Sequence, residues 1–132
     1  MARERCQAEP GCAIMRAAQG NPGKISGRII IDLAKEGDQL ALAVFHEYTR
    51  NLAIAINSIV SFLDPDMVVL GGGISHAGQF LLDAIKEKIP NYLMFRTLPF
   101  SDVVLASLGN GAGIIGAAML CRLGRDYSNI SA

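Results

Sequence analysis

Few features of this chain point to a secreted, membrane-bound or nucleic-acid-binding protein. Lysine and arginine total 12 and so do aspartate and glutamate, which leaves no net charge to attract nucleic acid or an anionic membrane. Charged or polar residues interrupt every apolar stretch before it is long enough to span a bilayer. The opening residues, MARERCQAEP, lack the apolar segment of a secretory signal. We therefore expect a cytoplasmic protein that binds neither nucleic acid nor membranes.

Cysteine and histidine are also scarce. The chain has three cysteines, Cys6, Cys12 and Cys121, and two histidines, His46 and His76. A zinc site usually has four ligands at close spacing, and no histidine lies near the two cysteines of CQAEPGC. Reduced cytosolic thiols are the favoured interpretation, and we predict no metal ligand in this chain. Both histidines are interpreted as structural or surface residues.

No carboxylate stands out as a general base. Asp64 and Asp66 flank a proline after a long helical pattern, where turn residues are common. Asp83 and Glu87 fall on the polar face of another helical pattern, and Asp102 opens a short apolar segment. Because most surface carboxylates take no part in chemistry, we interpret these five as structural. The chain is thus predicted to contain no catalytic residue.

Apolar residues, in contrast, are abundant. They make up 51% of the 132 residues, enough for a real core in one small domain or in a piece of a larger one. Ser26 and Gly37 are placed to cap and to end a short helix, and Asp38 to cap a long helix over 39–63. The second half of the long helix is apolar on nearly all sides, which predicts burial on several sides.

The most informative segment is PDMVVLGGGISHAG, residues 65–78. Its apolar residues 67–70 predict a parallel strand that is covered on both faces. Three glycines, 71–73, follow the strand, and a helix is expected over 78–88. Glycine adopts positive φ easily and lets a ligand approach the backbone, while the free N–H groups of the next helix would face the same place. Together these features predict a nucleotide site.

A second strand, glycine turn and helix follow the first set. The strand is expected over 102–107, the turn at 109–111 and the helix over 112–123. Two strands do not make a stable sheet on their own. We therefore expect an α/β, helix-rich structure with a small incomplete sheet, whose other strands lie outside this sequence or come from a second chain.

These motifs resemble the C-terminal part of the ROK family of bacterial sugar kinases and repressors, and most of all its ATP-dependent glucokinase branch. The features are the helix cap in KEGD, a long helix ending in an Asp-Pro pair, VVLGGG with a helix behind it, and LGNGAGIIGAA. The resemblance covers residues 26–123. An irregular, short-helical lead-in over 1–25 precedes this lobe, and a flexible tail over 124–132 follows it.

The resemblance implies an actin-like, ribonuclease-H-like ATPase fold, in which ATP and sugar bind between two lobes and this chain forms part of one lobe. Gly71, Gly72, Gly73 and Ile74 would line the adenine and ribose, and residues 109–113 would lie near the hinge between the lobes. ATP with Mg²⁺ would be the cofactor, and a hexose the acceptor. A homodimer is the expected assembly.

Several motifs of the family are missing. They are the phosphate-binding DxGxT loop, the aspartate that deprotonates the sugar, the sugar-binding ExGH motif and the cysteine-rich zinc motif, which CQAEPGC does not match. We therefore interpret the chain as the C-terminal nucleotide-binding lobe of a glucokinase-like hexose kinase, inactive by itself. Two alternatives stay open, the sugar-sensing lobe of a ROK repressor and an assembly unit without catalysis. The sequence does not indicate which hexose is used.

Overall fold

The structure is a computed structural model that describes residues 2–9, 11–94, 100–108 and 111–127. Within these residues the helices and strands are α1 Ala2–Ala8, α2 Ala13–Ala17, α3 Gly27–Lys35, α4 Gln39–Leu63, β1 Met67–Leu70, α5 Gln79–Lys88, β2 Asp102–Leu105 and α6 Ala112–Tyr127. The 3₁₀ turns are Pro22–Lys24, Gly73–Ala77 and Ile89–Tyr92. The last helix thus continues four residues beyond its expected end at residue 123.

Helices α3 and α4 begin where the sequence predicts. Ser26 Oγ accepts a hydrogen bond from the backbone N–H of Ile29 at 3.4 Å. Asp38 Oδ1 accepts one from the backbone N–H of Ala41 at 2.8 Å. Each side chain satisfies a first-turn donor that has no partner inside its helix. Between the helices, Gly37 has a φ of 90°, which glycine adopts without steric strain.

The core lies around α4, which packs against both α3 and α5. The largest fully buried side chains are Ile14, Thr49, Leu81 and Ile85. Phe45 of α4 stacks on Phe80 of α5, with 4.6 Å between the ring centroids and 19° between the ring planes. The Thr49 hydroxyl donates a hydrogen bond to the carbonyl of Phe45 at 3.0 Å, so this buried polar group is satisfied.

The two strands form a parallel pair in which Met67 lies opposite Asp102. Just beyond the pair, the backbone N–H of Ala106 donates to the carbonyl of Leu70 at 2.8 Å. Because parallel strands run in the same direction, glycines 71–73 and the end of β2 lie at the same edge of the sheet. The predicted helix-rich α/β structure with a small sheet is confirmed, although β2 ends two residues earlier than expected.

Two expectations about burial are wrong. Met67 and Val69 are 51% and 56% exposed, so one face of β1 is open to solvent instead of covered. The second half of α4 also carries exposed apolar side chains, which are Ile54, Ile59, Phe62 and Leu63.

Helix α6 has exposed apolar side chains as well, which are Ile114, Ile115, Met119 and Leu120. An apolar pattern predicts that a face will be covered, but it does not say that the covering element is in the same 132 residues.

No helix within the described ranges is both long and apolar enough to cross a bilayer.

Candidate functional site

The three glycines after β1 and the 3₁₀ turn Gly73–Ala77 form a segment with an open backbone, residues 71–77, here called the glycine turn. Gly72 has a φ of 83° and a ψ of −172°, a conformation that is essentially restricted to glycine. The Ser75 hydroxyl and the Ser75 backbone N–H both donate to the carbonyl of Gly72, at 2.7 and 3.1 Å, and hold the turn closed. A Cβ at Gly72 or Gly73 would meet no heavy atom within 4 Å. A ligand can therefore approach the backbone of this turn.

Helix α5 does not begin directly after the glycines. The 3₁₀ turn Gly73–Ala77 comes first, and Gly78, with a φ of 66°, marks the start of α5. The backbone N–H groups of Leu81 and Leu82 donate to the carbonyl of Gly78. The N-terminus of α5 thus lies five residues or more beyond the glycines. The expected helix over 78–88 thus agrees with the structure to within one residue at its start.

A pocket of about 120 Å³, here called the polar pocket, lies between the glycine turn and α3. Its lining residues are Gly73, His76 and Ala77 from the turn and Arg28, Ile31, Asp32 and Lys35 from α3. The α3 positions recur at intervals of three and four, which places them on one face of the helix. The polar pocket therefore has backbone on one side and a charged helix face on the other.

The charges of the polar pocket suit a ligand that carries both negative charge and hydrogen-bond donors. Arg28 and Lys35 are cations, and Asp32 supplies the one carboxylate among the lining residues. The Lys35 ammonium lies 5.7 Å from the ring centroid of Phe80, at cation–π distance. A small polar molecule with an anionic group would find complementary partners here.

The site residues predicted from sequence divide between two places. Gly73 lines the polar pocket, whereas Ile74 lines a separate apolar cavity. Gly71 and Gly72 are exposed and lie at the start of the glycine turn. A Cβ at Gly71 would lie 3.6 Å from the Cβ of Ala106, at the end of β2. Binding by these four residues remains a prediction.

Sequence reasoning did not find the α3 side of the polar pocket. Arg28, Asp32 and Lys35 have the spacing of an ordinary solvated helix face, and nothing in that spacing shows that the face meets the glycine turn. His76 was interpreted as a structural or surface residue, and it is exposed, but it also lines the pocket. Its position three residues after the last glycine is the one signal that sequence offers.

The second glycine turn stays untested, because Gly109 and Asn110 lie outside the described residues. The carboxylates considered as bases occupy the end of α4, the bend before β1, the helix α5 and the start of β2. Asp64 ends α4 in the left-handed conformation, with a φ of 45°, and Asp83 accepts a hydrogen bond from Gln79 at 2.6 Å. The interpretation that they do no chemistry stands as a prediction.

Cys6 belongs to the core and not to an exposed ligand set. It is 2% exposed, and its pKa is raised to about 11 by burial first and by a hydrogen bond with Cys12 second. Both residues are free thiols. Across the described ranges, no group of three histidine, cysteine, aspartate or glutamate side chains is placed to hold a metal ion.

Comparison with known proteins extends these observations. The sequence model of the ROK family matches residues 7–123, starting earlier than the resemblance over 26–123. The glucokinase of Thermotoga maritima is 34% identical over 103 residues, which are 78% of this chain and 32% of that protein. The glucokinase of Streptomyces coelicolor is 33% identical over 124 residues, which are 92% of this chain and 39% of that protein. An N-acetyl-D-glucosamine kinase of Haemophilus influenzae is 36% identical over 96 residues, 73% of this chain and 31% of that protein.

A solved structure has the same fold. It is a ROK family glucokinase from Streptomyces griseus in complex with glucose and AMPPNP, which matches with a TM-score of 0.80 and 32% identity. The match covers 90% of this chain and 39% of the other, so this chain spans two-fifths or less of the length of these relatives. The predicted fold class, part of an actin-like ATPase lobe, is thereby confirmed. From residue 7 to residue 123, this chain belongs to the ROK family.

Proposed function

We propose that this chain is the nucleotide-binding part of an ATP-dependent hexose kinase of the glucokinase type, which transfers a phosphoryl group from ATP to a sugar hydroxyl. The observation that carries the proposal is the polar pocket between the exposed glycine turn and α3. The named relatives support it, because they are glucokinases and an N-acetylglucosamine kinase. A repressor is not proposed, since no described residue favours one over a kinase.

In this proposal the purine end of ATP enters the polar pocket. The backbone of Gly73 leaves room for the flat base, and Asp32 accepts hydrogen bonds from its amino group. Arg28 and Lys35 offset the charge of the phosphates. At about 120 Å³ the pocket is smaller than the roughly 300–1,000 Å³ of typical small-molecule sites, so it would hold only part of a nucleotide. The affinity of the isolated chain for ATP should therefore be weak.

The remaining parts of the reaction are assigned elsewhere in the kinase. Phosphoryl transfer needs a base for the acceptor hydroxyl and fixed phosphates, and the polar pocket offers neither a second carboxylate nor a phosphate loop. We therefore propose that the 132 residues alone have no hexokinase activity. The exposed apolar side chains of α4, β1 and α6 support the view that further polypeptide covers them, and a homodimer is part of the same proposal.

Magnesium would arrive with the phosphates of ATP. Mg²⁺ is commonly held by one or two carboxylates together with phosphate oxygens and water. Since Asp32 is assigned to the amino group of the base, no lining residue of the polar pocket is assigned to Mg²⁺. No zinc ligand is assigned to Cys6 or Cys12. The proposed location is the cytoplasm, where free thiols stay reduced.

A nuclear magnetic resonance titration of the ¹⁵N-labelled chain with Mg·ATP tests the nucleotide site. We expect saturable shifts of the backbone amides of Gly73 and His76 and of the α3 face that lines the polar pocket. Gly73→Val should weaken binding by about tenfold or more, because its side chain would fill the space beside the turn.

Gly11→Val is the matched control. Neither Gly11 nor Gly73 has a positive φ, and a Cβ at either position meets no heavy atom within 4 Å, so both variants should fold. Only Gly73 lines the polar pocket. Equal ATP affinities of the two variants, or saturable shifts confined to other surfaces, would refute the proposed nucleotide site.

A further inference from the structure

A second cavity borders the polar pocket and has different chemistry. This apolar cavity has a volume of about 210 Å³. Its lining residues are Ala2 of α1, Gly27, Ile30 and Ile31 of α3, Val44, Phe45 and Tyr48 of α4, and Ile74 of the glycine turn. None of these side chains carries a formal charge at neutral pH, and only the Tyr48 hydroxyl is polar.

The apolar cavity has a buried floor and a half-open mouth. Ile31, Val44 and Phe45 are between 2% and 6% exposed and form the floor. Ile30, Tyr48 and Ile74 are half-buried and lie nearer the solvent. The floor is held in place from behind, because the Phe45 ring stacks on another core ring, as described above. The cavity is therefore largely formed before any ligand arrives.

The lining selects the kind of ligand. A bound water needs two to four polar partners, which this lining does not provide, and a charged group would lose its hydration without compensation. An apolar protein cavity of about 150 Å³ is known to stay dry and to bind benzene or xenon. At about 210 Å³, the apolar cavity has room for one aromatic ring with a small substituent.

The apolar cavity and the polar pocket are connected by a shared lining residue and by a pair of consecutive residues. Ile31 lines both of them. Gly73 and Ile74 are consecutive, with Gly73 at the polar pocket and Ile74 at the apolar cavity. The Ile74 side chain is seated against α3, since a Cβ at Gly27 would lie 3.4 Å from Ile74 Cδ1. A ligand that displaces Ile74 therefore acts on the residue that is bonded to Gly73 of the polar pocket.

We propose that the apolar cavity is a second binding site, for a small neutral aromatic molecule of the size of benzene or toluene, and that its occupancy changes ligand affinity at the polar pocket through Ile31 and Ile74. Binding of an aromatic molecule in the apolar cavity does not depend on the proposed function, whereas its effect on ATP affinity rests on that function. The two claims need separate measurements.

The first measurement uses benzene and the methyl carbon spectrum of the 132-residue chain. Ring-current shifts should appear and saturate at Ile30, Ile31, Val44 and Ile74, while Ile54 on the exposed surface of α4 should not shift. Ile30→Phe would place a ring in the mouth of the cavity and should weaken benzene binding by about tenfold or more. Ile54→Phe makes the same change outside the cavity and should leave binding unaltered.

Dispersed amide spectra of both variants would show that they fold. Should Ile30→Phe prevent folding, Val44→Ala supplies the second variant, since enlarging the floor should favour toluene over benzene relative to the parent chain. Non-saturating shifts that are equal at Ile30 and Ile54 would overturn the site. So would unchanged benzene affinity in folded Ile30→Phe, or an unchanged toluene preference in Val44→Ala.

The second measurement repeats the Mg·ATP titration with benzene at saturation. We expect the dissociation constant for ATP to change by about twofold or more, and Ile30→Phe to remove the effect of benzene. Saturable benzene binding with an unchanged ATP constant would overturn the coupling and keep the site. If the chain bound benzene but no ATP at all, the proposed nucleotide function would fail, and the coupling to ATP with it, while the apolar site would stand.

Discussion

Gly72 provides a direct test of the turn that carries the candidate site. Its φ of 83° and ψ of −172° lie in a region where other residues cost about 1–3 kcal/mol. Steric overlap adds nothing to this cost, because a Cβ there would meet no heavy atom within 4 Å. Gly72→Ala should therefore lower the free energy of unfolding by about 1–3 kcal/mol, all of it from backbone conformation.

Urea unfolding followed by circular dichroism measures this effect. With a denaturant slope of about 1–3 kcal/mol per molar urea, the midpoint of Gly72→Ala should fall by about 1 M. Gly73→Ala is the matched control, since Gly73 has no positive φ and the same open space. Its stability should stay within about 1 kcal/mol of the parent chain or rise slightly, because alanine restricts the unfolded chain.

The difference between the urea midpoints of the two variants tests whether Gly72 has a positive φ in solution. Equal midpoints for Gly72→Ala and Gly73→Ala would show that the backbone of Gly72 does not hold the left-handed conformation in solution. The turn beside the polar pocket would then have another shape, and the reasoning from its geometry would fail.

Three further changes test the core, the exposed surface and the buried thiol. Ile85→Ala should lower the free energy of unfolding by about 2–5 kcal/mol because Ile85 is fully buried. Ile54→Ala, at a surface position, should lower it by less than about 1 kcal/mol. Similar urea midpoints for the two variants would contradict the assignment of Ile85 to the core. Light scattering should show that the chain self-associates, and Phe62→Glu should reduce the associated mass because the Phe62 side chain is 86% exposed. A monomeric parent chain would count against self-association through this surface. Stability should fall as the pH rises from 9.0 towards about 11, because the unfolded Cys6 loses its proton near 9.0 while the folded thiol keeps it until about 11. Cys6→Ala should flatten that slope in urea midpoints, and an unchanged slope would argue against a buried thiol.

The local structure followed from the sequence because its causes are local. Ser26 and Asp38 cap helices with their own side chains, and a proline stops α4. The glycine run after β1 predicted an open backbone, and the structure has one. Each of these features depends on residues within a few positions of each other, which is the range over which a sequence pattern carries information.

The polar pocket depends instead on two segments about forty residues apart. Arg28, Asp32 and Lys35 meet the turn at Gly73 only because α4 returns the chain past α3. Charge spacing on a helix gives no information about the segment that it will face. The same holds for the exposed face of β1, since the continuous apolar run over 67–70 indicates that Val69 prefers burial but not which element would bury it.

The most direct measurement is the set of intermolecular nuclear Overhauser effects between bound Mg·ATP and the ¹³C-labelled chain. Protons of the adenine ring should show contacts to the His76 ring, to the Gly73 α-protons and to the Lys35 methylenes. Adenine contacts to another surface, such as the one lined by Arg50, Lys88 and Tyr92, with none to these three residues, would contradict a nucleotide site at the glycine turn.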